Sequence, residues 1–158
     1  TLIYYFPNRA AMVETALEDL LARQVRYVVS KMMEHDHPID RLFAQVRAVH
    51  SYHEGREEEI IFLIQALALV GREHANDIFE IGNQAFEAHR QALVGELTRA
   101  MKDGRMHPCD PNAVVRIVRS IVDGMLVQKV MTRCDFEPIH EFLWKHILLP
   151  LKRNPESL

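Results

Sequence analysis

A helix that opens at Asp110-Pro111 constrains the fold of this chain more than any other feature of the sequence. Aspartate caps a helix because its carboxylate accepts hydrogen bonds from the first backbone amides, and proline suits the first turn because it lacks an amide hydrogen. The pattern continues to about Thr132, and its polar residues form a narrow stripe of Arg116, Arg119, Ser120 and Asp123. The wide apolar remainder must therefore cover both its own core and a second surface beyond that core.

Helical signals also dominate the rest of the chain, which has no internal repeat and no linker between domains. The run 60–70 is the one ambiguous segment, because its β-branched first half is also typical of a buried strand. Three glutamates before it and Gly71 after it favour a helix, and its apolar character on all sides predicts a central position. Residues 152–158 are predicted to form a tail. The predicted helices span about 9–33, 39–54, 60–70, 75–103, 111–132 and 136–149.

Composition limits the possible classes of protein. The 158 residues, 48% of them apolar, can bury one sizeable core, and the net charge of −3 is not typical of a nucleic-acid-binding surface. Cys109 and Cys134 form no paired motif, which indicates a reducing compartment. No signal peptide is visible and no apolar run is long enough to span a bilayer, so we expect a cytoplasmic protein without a membrane partner.

Catalytic and metal-binding motifs are weak or missing. The sequence has no glycine-rich phosphate loop, His-Glu-x-x-His pair or Gly-x-Ser-x-Gly elbow, so we do not expect an enzyme. Two close histidine pairs, at 35/37 and 50/53, raise the question of zinc, which needs three or four convergent ligands. Further ligands can be named only by speculation: His89, Glu54 and Cys109. We therefore favour solvated or hydrogen-bonded histidines and predict neither a metal nor another cofactor.

The first twelve residues carry the most specific motif. An apolar and aromatic stretch ends at the tight break Pro7-Asn8, and Asn8 is a good N-cap for a helix that begins at Arg9. This stretch resembles the end of the recognition helix and the start of the next helix in TetR-family transcriptional regulators, where Thr-Leu-Tyr-x-His-Phe-x-Ser-Lys-x-x-Leu occurs. Ile3 and Tyr5 stand where Tyr and His are commoner. The residues in register are Thr1, Leu2, Tyr4, Phe6, Arg9 and Met12.

A looser similarity to the same family lies in the second half of the chain, where Asp103-Gly104, Asp110-Pro111 and Asp123-Gly124 follow in the family's order. The resemblance implies an all-α, TetR-like C-terminal helical regulatory domain that dimerises through a four-helix bundle. Residues 1–6 would be the end of an N-terminal helix-turn-helix DNA-binding domain whose remainder is absent from this chain. Residues 7–158 would form the ligand-binding and dimerisation domain.

The function that the resemblance implies is a ligand-responsive, DNA-binding transcriptional regulator, a repressor released from its operator by a small molecule. Hydroxyl groups near the end of the recognition helix reach phosphates or base edges, and a basic residue at a helix N-terminus meets a phosphate. For Tyr4, packing against the missing helices is an equal alternative. The predicted DNA-binding residues are Thr1, Tyr4, Tyr5 and Arg9.

The effector pocket of this family lies inside the helical core, which here means the helices predicted at 39–54, 60–70, 75–103 and 111–132. Most candidates would serve equally well as ordinary core residues. His50, Gln65 and His89 are better candidates because each interrupts an apolar face, and a buried polar group without a partner costs about 1–3 kcal/mol. The predicted ligand-binding residues are Phe43, Val46, His50, Phe62, Gln65, Phe86, His89, Ile121 and Met125.

The last two predicted helices could pack only within their own subunit, but the breadth of the apolar surface on 113–131 argues against this. A two-fold four-helix bundle would bury what one subunit leaves exposed, and Gly124 would permit close helix approach. The predicted homodimer interface contains Val114, Val118, Ile121, Met125, Phe142, Leu143 and Ile147.

A second hypothesis from another class is an all-helical protein without DNA-binding function that carries a small molecule or a metal between its helices. The two hypotheses make different predictions for the residues before Thr1. A helix-turn-helix with small residues at its turn and basic side chains would decide for the regulator.

Overall fold

The computed structural model describes residues 9–70 and 75–153, apart from the side chains of residues 9–10, 67–70, 75–79, 81–83 and 85. This part of the chain contains no β-strand, so the all-α prediction is confirmed. The helices are α1 (Arg9–Met32), α2 (Pro38–Tyr52), α3 (Glu57–Val70), α4 (Ala75–Lys102), α5 (Pro111–Thr132) and α6 (Glu137–Phe142). A wider π-helical turn (Leu143–Leu148) and a 3₁₀ turn (Leu149–Leu151) continue α6.

The helix ends follow local chemistry where the sequence signal was strong. Oδ1 of Asp110 accepts from the amides of Asn112 and Ala113 at 2.9 and 3.2 Å, as predicted for the start of α5. Gly104 follows α4 with a φ of +71°, a left-handed conformation that a residue without a Cβ adopts readily. The N-cap of α2 was not predicted: Nδ1 of His37 accepts from the amide of Ile39 at 3.2 Å.

α1 spans two apolar clusters, and this placement organises the fold. Its first half forms a smaller cluster with α3, in which Val13, Leu17, Leu20, Leu21 and Ala66 are buried. Its second half joins the main core, which α2, α4, α5 and the π-helical turn complete. Buried members of the main core include Val28, Met32, Leu42, Val46, Leu97, Val118 and Leu148. The predicted apolar stripe of α1 is therefore confirmed, with Val25 only partly buried.

The central position predicted for the helix at 60–70 is wrong for the side chains that the structure describes there. Ile60 and Ala66 are buried, but Ile61, Gln65 and Ile64 are exposed, the last at 48%. The reason is that α1, α4 and α5 contact α3 without enclosing it, so the side that carries Ile61, Ile64 and Gln65 stays uncovered. A helix that is apolar on all sides is predicted to be buried, but its composition does not show how much of its surface the neighbouring helices cover.

The predicted tail also begins too early. Lys152 is held by a backbone bridge to Met106 and by an ion pair to Asp40. Residues 154–158 lie outside the described part of the chain. Across the described ranges, no helix combines the length and the apolar character needed to cross a membrane.

Candidate functional site

A cleft of about 1080 Å³ lies along α2, bounded by the second half of α1, the start of α3, the end of α5 and the beginning of α6. This volume suits a small organic molecule. Its lining mixes aromatic, apolar and charged side chains, among them Tyr27, Lys31, Arg47, His50, Ile61, Lys129, Phe136, Glu137 and His140. The cleft is therefore the candidate ligand site of the described chain.

A pair of buried histidines forms one wall of the cleft. Nδ1 of His50, on α2, lies 2.6 Å from Nε2 of His140, on α6, and the two residues are only 5% and 6% exposed. The ring planes differ by 16°. Since the nitrogens lie so close and the rings are nearly coplanar, the rings meet edge to edge and share one hydrogen bond. This bond joins α2 to α6 through two residues that are 90 positions apart in the sequence.

Both imidazoles are neutral at pH 7. Burial lowers the pKa of His50 to about 3, and smaller causes are repulsion from His140, once acid has protonated that ring, and from the positive charge of Lys129. Burial likewise lowers the pKa of His140, against an opposing contribution from Glu137. A neutral imidazole has one N–H donor and one acceptor nitrogen, so one ring of the pair donates and the other accepts.

Glu137 decides which ring donates. Its Oε2 lies 3.6 Å from Nδ1 of His140, so its negative charge favours a proton on that nitrogen. Nε2 of His140 is then the acceptor, and Nδ1–H of His50 donates to it. Nε2 of His50 becomes a bare acceptor. Neither this nitrogen nor Nδ1 of His140 makes a hydrogen bond among the described residues, so Glu137 acts on Nδ1 of His140 through its charge alone. Arg47 holds Glu137 in place by donating from Nη1 to Oε1 at 3.1 Å.

Aromatic and polar groups surround the histidine pair. The rings of Phe136 and His50 lie 4.9 Å apart between centroids, and Phe43 meets the edge of His140. Also lining the cleft, Nζ of Lys129 donates to Oε2 of Glu54 at 2.5 Å. The site thus combines a cluster of aromatic rings with a few oriented polar groups, which is the usual composition of a ligand pocket.

The structure offers no support for the metal reading of the histidines. No group of three or more His, Cys, Asp or Glu side chains with metal-binding geometry occurs in the described ranges. The 2.6 Å between the paired nitrogens is also too short, since two nitrogens bound to one tetrahedral zinc lie roughly 3.4 Å apart. Neither ring nitrogen of His53 makes a hydrogen bond among the described residues, and Nδ1 lies 4.0 Å from Oε2 of Glu59. Cys109 lies beside Met101 instead.

The predicted ligand-binding residues separate into different environments, and only His50 lines the cleft. Phe43 lies just behind it, against His140 and Trp144. Val46 and Met125 are buried in the subunit and Ile121 is partly buried there, whereas Phe62 and Phe86 pack against the smaller cluster. Gln65 is exposed, and Nε2 of His89 is buried without a described partner. The predicted ligand-binding residues therefore do not line one common pocket.

His140 was missed by the sequence reasoning, although a signal for it exists. It follows Phe136 by four residues and precedes Leu143 by three, which is the helical spacing of the apolar stripe in this segment. A histidine on a buried stripe needs a partner for its ring nitrogens. The sequence could have identified that need but not the identity of the partner.

The remaining predicted sites are only partly described. Thr1, Tyr4 and Tyr5 lie outside the described residues, and Arg9 begins α1 with its side chain outside them. In the predicted interface, Val118, Met125 and Leu143 are buried in the subunit's own core and are not available to a partner in this arrangement. Val114, Ile121 and Ile147 are partly buried, and Phe142 is 60% exposed.

Comparison with protein-family models, with curated proteins and with solved structures finds no significant match to this chain.

Proposed function

We propose that this chain is the regulatory part of a ligand-responsive transcriptional regulator of the TetR type, a repressor that leaves its operator when a small molecule binds. One observation carries the proposal: α1 begins at Arg9, directly after the motif that resembles the end of a recognition helix, and its far end lines the cleft through Tyr27 and Lys31. One continuous helix thus connects the proposed DNA contact with the candidate ligand site.

The packing of α1 supports a mechanical role. Its two halves belong to two separate apolar clusters, so the helix can respond to a change in either of them. A ligand that prefers one arrangement of the cleft changes the position of α1 by its difference in affinity for the two arrangements. A coupling of about 1–3 kcal/mol would weaken operator binding by 5- to 150-fold.

Dimerisation is part of the same proposal, because two half-sites on DNA require two recognition helices. Apolar side chains remain exposed on α5 and along the α6 segment. On α5, Ile117, Gly124 and Met131 follow at intervals of seven residues, and Met131 is 75% exposed. On the α6 segment, Ile139, Phe142 and Leu149 are exposed. We place the two-fold interface on these residues in preference to those already buried in the subunit.

The test is selection of binding sites from a random DNA library by the intact protein. The proposal predicts an inverted repeat whose half-sites lie about one helical turn, roughly 34–36 Å, apart. A protein that binds no DNA, or that selects a single unrepeated half-site as a monomer, would contradict it.

The alternative is an all-helical small-molecule-binding protein without DNA function. The cleft favours it, because the described residues form the cleft without any contribution from a DNA-binding domain. The same selection experiment separates the two hypotheses. A protein that binds ligand in the cleft and recovers no DNA sequence would support the alternative.

A further inference from the structure

We propose that the cleft binds a neutral hydroxylated aromatic molecule, of the phenol class, whose O–H donates a hydrogen bond to Nε2 of His50. The inference rests on the proposed function only for its regulatory consequence, since the site and its chemistry are argued without DNA. If both hold, this class of molecule is the effector.

The hydrogen-bonding state of His50 requires a donor. Its Nδ1–H is used by His140, and Nε2 is left as an acceptor without a described partner in a side chain that is more than nine-tenths buried. Burying an acceptor without a donor costs free energy, and a ligand that supplies the donor recovers this free energy. Glu137 acts here as a positioning residue, because it holds the proton of His140 on the far nitrogen.

The charges around His50 favour a neutral ligand. Lys129 lies close enough for its charge to disfavour a second cation beside the ring, although burial is the larger cause of the lowered pKa of His50. Cationic and acidic side chains line the cleft in nearly equal numbers, and Lys129 and Arg47 are already paired with Glu54 and Glu137, so an anion finds no excess of positive charge there. An anion would also face the lone pair of Nε2. A hydroxyl group donates a hydrogen bond without bringing a charge.

The surroundings of His50 favour an aromatic body for the ligand. The ring of Phe136 lies against the imidazole, and Tyr27, Ile61 and Val130 add further flat or apolar surface to the cleft. Tilted and offset contacts between rings are favourable. Nε2 itself is covered in the present arrangement, so the ligand must displace a lining side chain, and Phe136 is the one in ring contact with His50.

The first test compares 4-ethylphenol with 4-ethylanisole, which has the same ring but no donor, by calorimetry on the full chain. The phenol should bind at least about tenfold more tightly, the ratio that one good hydrogen bond provides. His50→Phe should abolish this preference, whereas His107→Phe, at an exposed position outside the cleft, should preserve it. Equal affinities for the two compounds in the native protein, or a preference that survives His50→Phe, would overturn the proposal.

A second test reads the protonation state of the rings directly. Long-range ¹H–¹⁵N spectra of the ligand-free chain should show Nε2 of His50 without a proton and Nδ1 of His140 with one. Glu137→Gln removes the charge that fixes this state and should lower the affinity for the phenol. A proton on Nε2 of His50 in the native protein would overturn the proposal even if a variant failed to fold.

A third test locates the ligand. Cys134 lines the cleft and is half-buried, whereas Cys109 lies beside Met101, away from the cleft. 4-Ethylphenol should slow the alkylation of Cys134 by iodoacetamide and leave that of Cys109 unchanged. Unprotected Cys134 in the presence of bound phenol would place the ligand elsewhere. None of the three tests uses DNA, so their failure is distinguishable from a failure of the regulator hypothesis.

Discussion

Lys152 and Asp40 join the end of the described chain to the first turn of α2. Nζ of Lys152 donates to both carboxylate oxygens of Asp40 at 2.9 Å, across 112 residues of sequence. Both side chains are about three-quarters buried. A bidentate ion pair that is mostly buried is stronger than a typical surface ion pair. It anchors a residue that sequence reasoning assigned to a tail.

Lys152→Met should lower the free energy of unfolding by about 1–2 kcal/mol, because Asp40 would lose its cationic partner while staying half-buried. Urea denaturation of Lys152→Met, Asp40→Asn and the double variant gives the coupling energy of the pair. The Lys145–Glu141 pair, which is exposed on both sides, provides the matched comparison and should show a smaller coupling. Equal coupling energies for the two pairs would show that Lys152 is not an anchor.

Acid should destabilise this protein through its buried histidines, and His50 and His53 are the two with the largest shifts in pKa. Burial lowers the pKa of His50 to about 3 and that of His53 to about 4, so the unfolded chain binds these protons near pH 6.5 and the folded chain does not. The contribution of these neutral histidines to the free energy of unfolding is therefore fully present above about pH 6.5. It falls as the pH drops toward 4. The slope should approach about 1.4 kcal/mol per pH unit for each histidine.

Chemical denaturation at several pH values measures this slope directly. His50→Phe and His53→Phe should each reduce it between pH 4 and 6.5, and neither should change the pH dependence above pH 7. Identical slopes in the native protein and both variants would mean that other groups control acid unfolding.

Local chemistry explains which parts of the fold were predictable. The start of α5 was predicted because an aspartate cap and a first-turn proline act within a few residues of each other. The apolar stripe of α1 was predicted because its period repeats over many turns. The change of α6 into a π-helical turn at Leu143 was not, since nothing in that local sequence distinguishes the two helical forms.

The candidate site was less predictable than the fold because it depends on contacts between distant segments. His50 was identified from its place on an apolar face, but its partner His140 lies 90 residues away. The sequence likewise shows that Phe62 and Phe86 are apolar at helical spacing, but it does not show that they join a smaller cluster around α1. Assignment of residues to one pocket requires the packing arrangement of the helices, which the pattern of each helix alone does not contain.

The proposed dimer predicts opposite results for two glycines. A Cβ atom added at Gly124 or at Gly95 meets nothing within 4 Å in the subunit, and both positions are exposed, so we expect both to accept leucine in the isolated fold. Gly124→Leu should dissociate the dimer if a partner helix approaches there, whereas Gly95→Leu on α4 should leave it intact. Sedimentation velocity gives the oligomeric state, and circular dichroism confirms that both variants fold. A Gly124→Leu protein that remains dimeric would remove this face from the interface.

Arg9 offers the most direct test of the proposed DNA contact. It begins α1, and both the positive end of the helix and its own charge would favour a phosphate at this point. In the intact protein, Arg9→Ala should weaken binding to all DNA sequences about equally and reduce the slope of log affinity against log salt by about one unit. Arg26→Ala, at an exposed position on the same helix, should change neither quantity. Fluorescence anisotropy at several salt concentrations measures both, and unchanged affinity and slope in Arg9→Ala would mean that α1 does not begin at a phosphate.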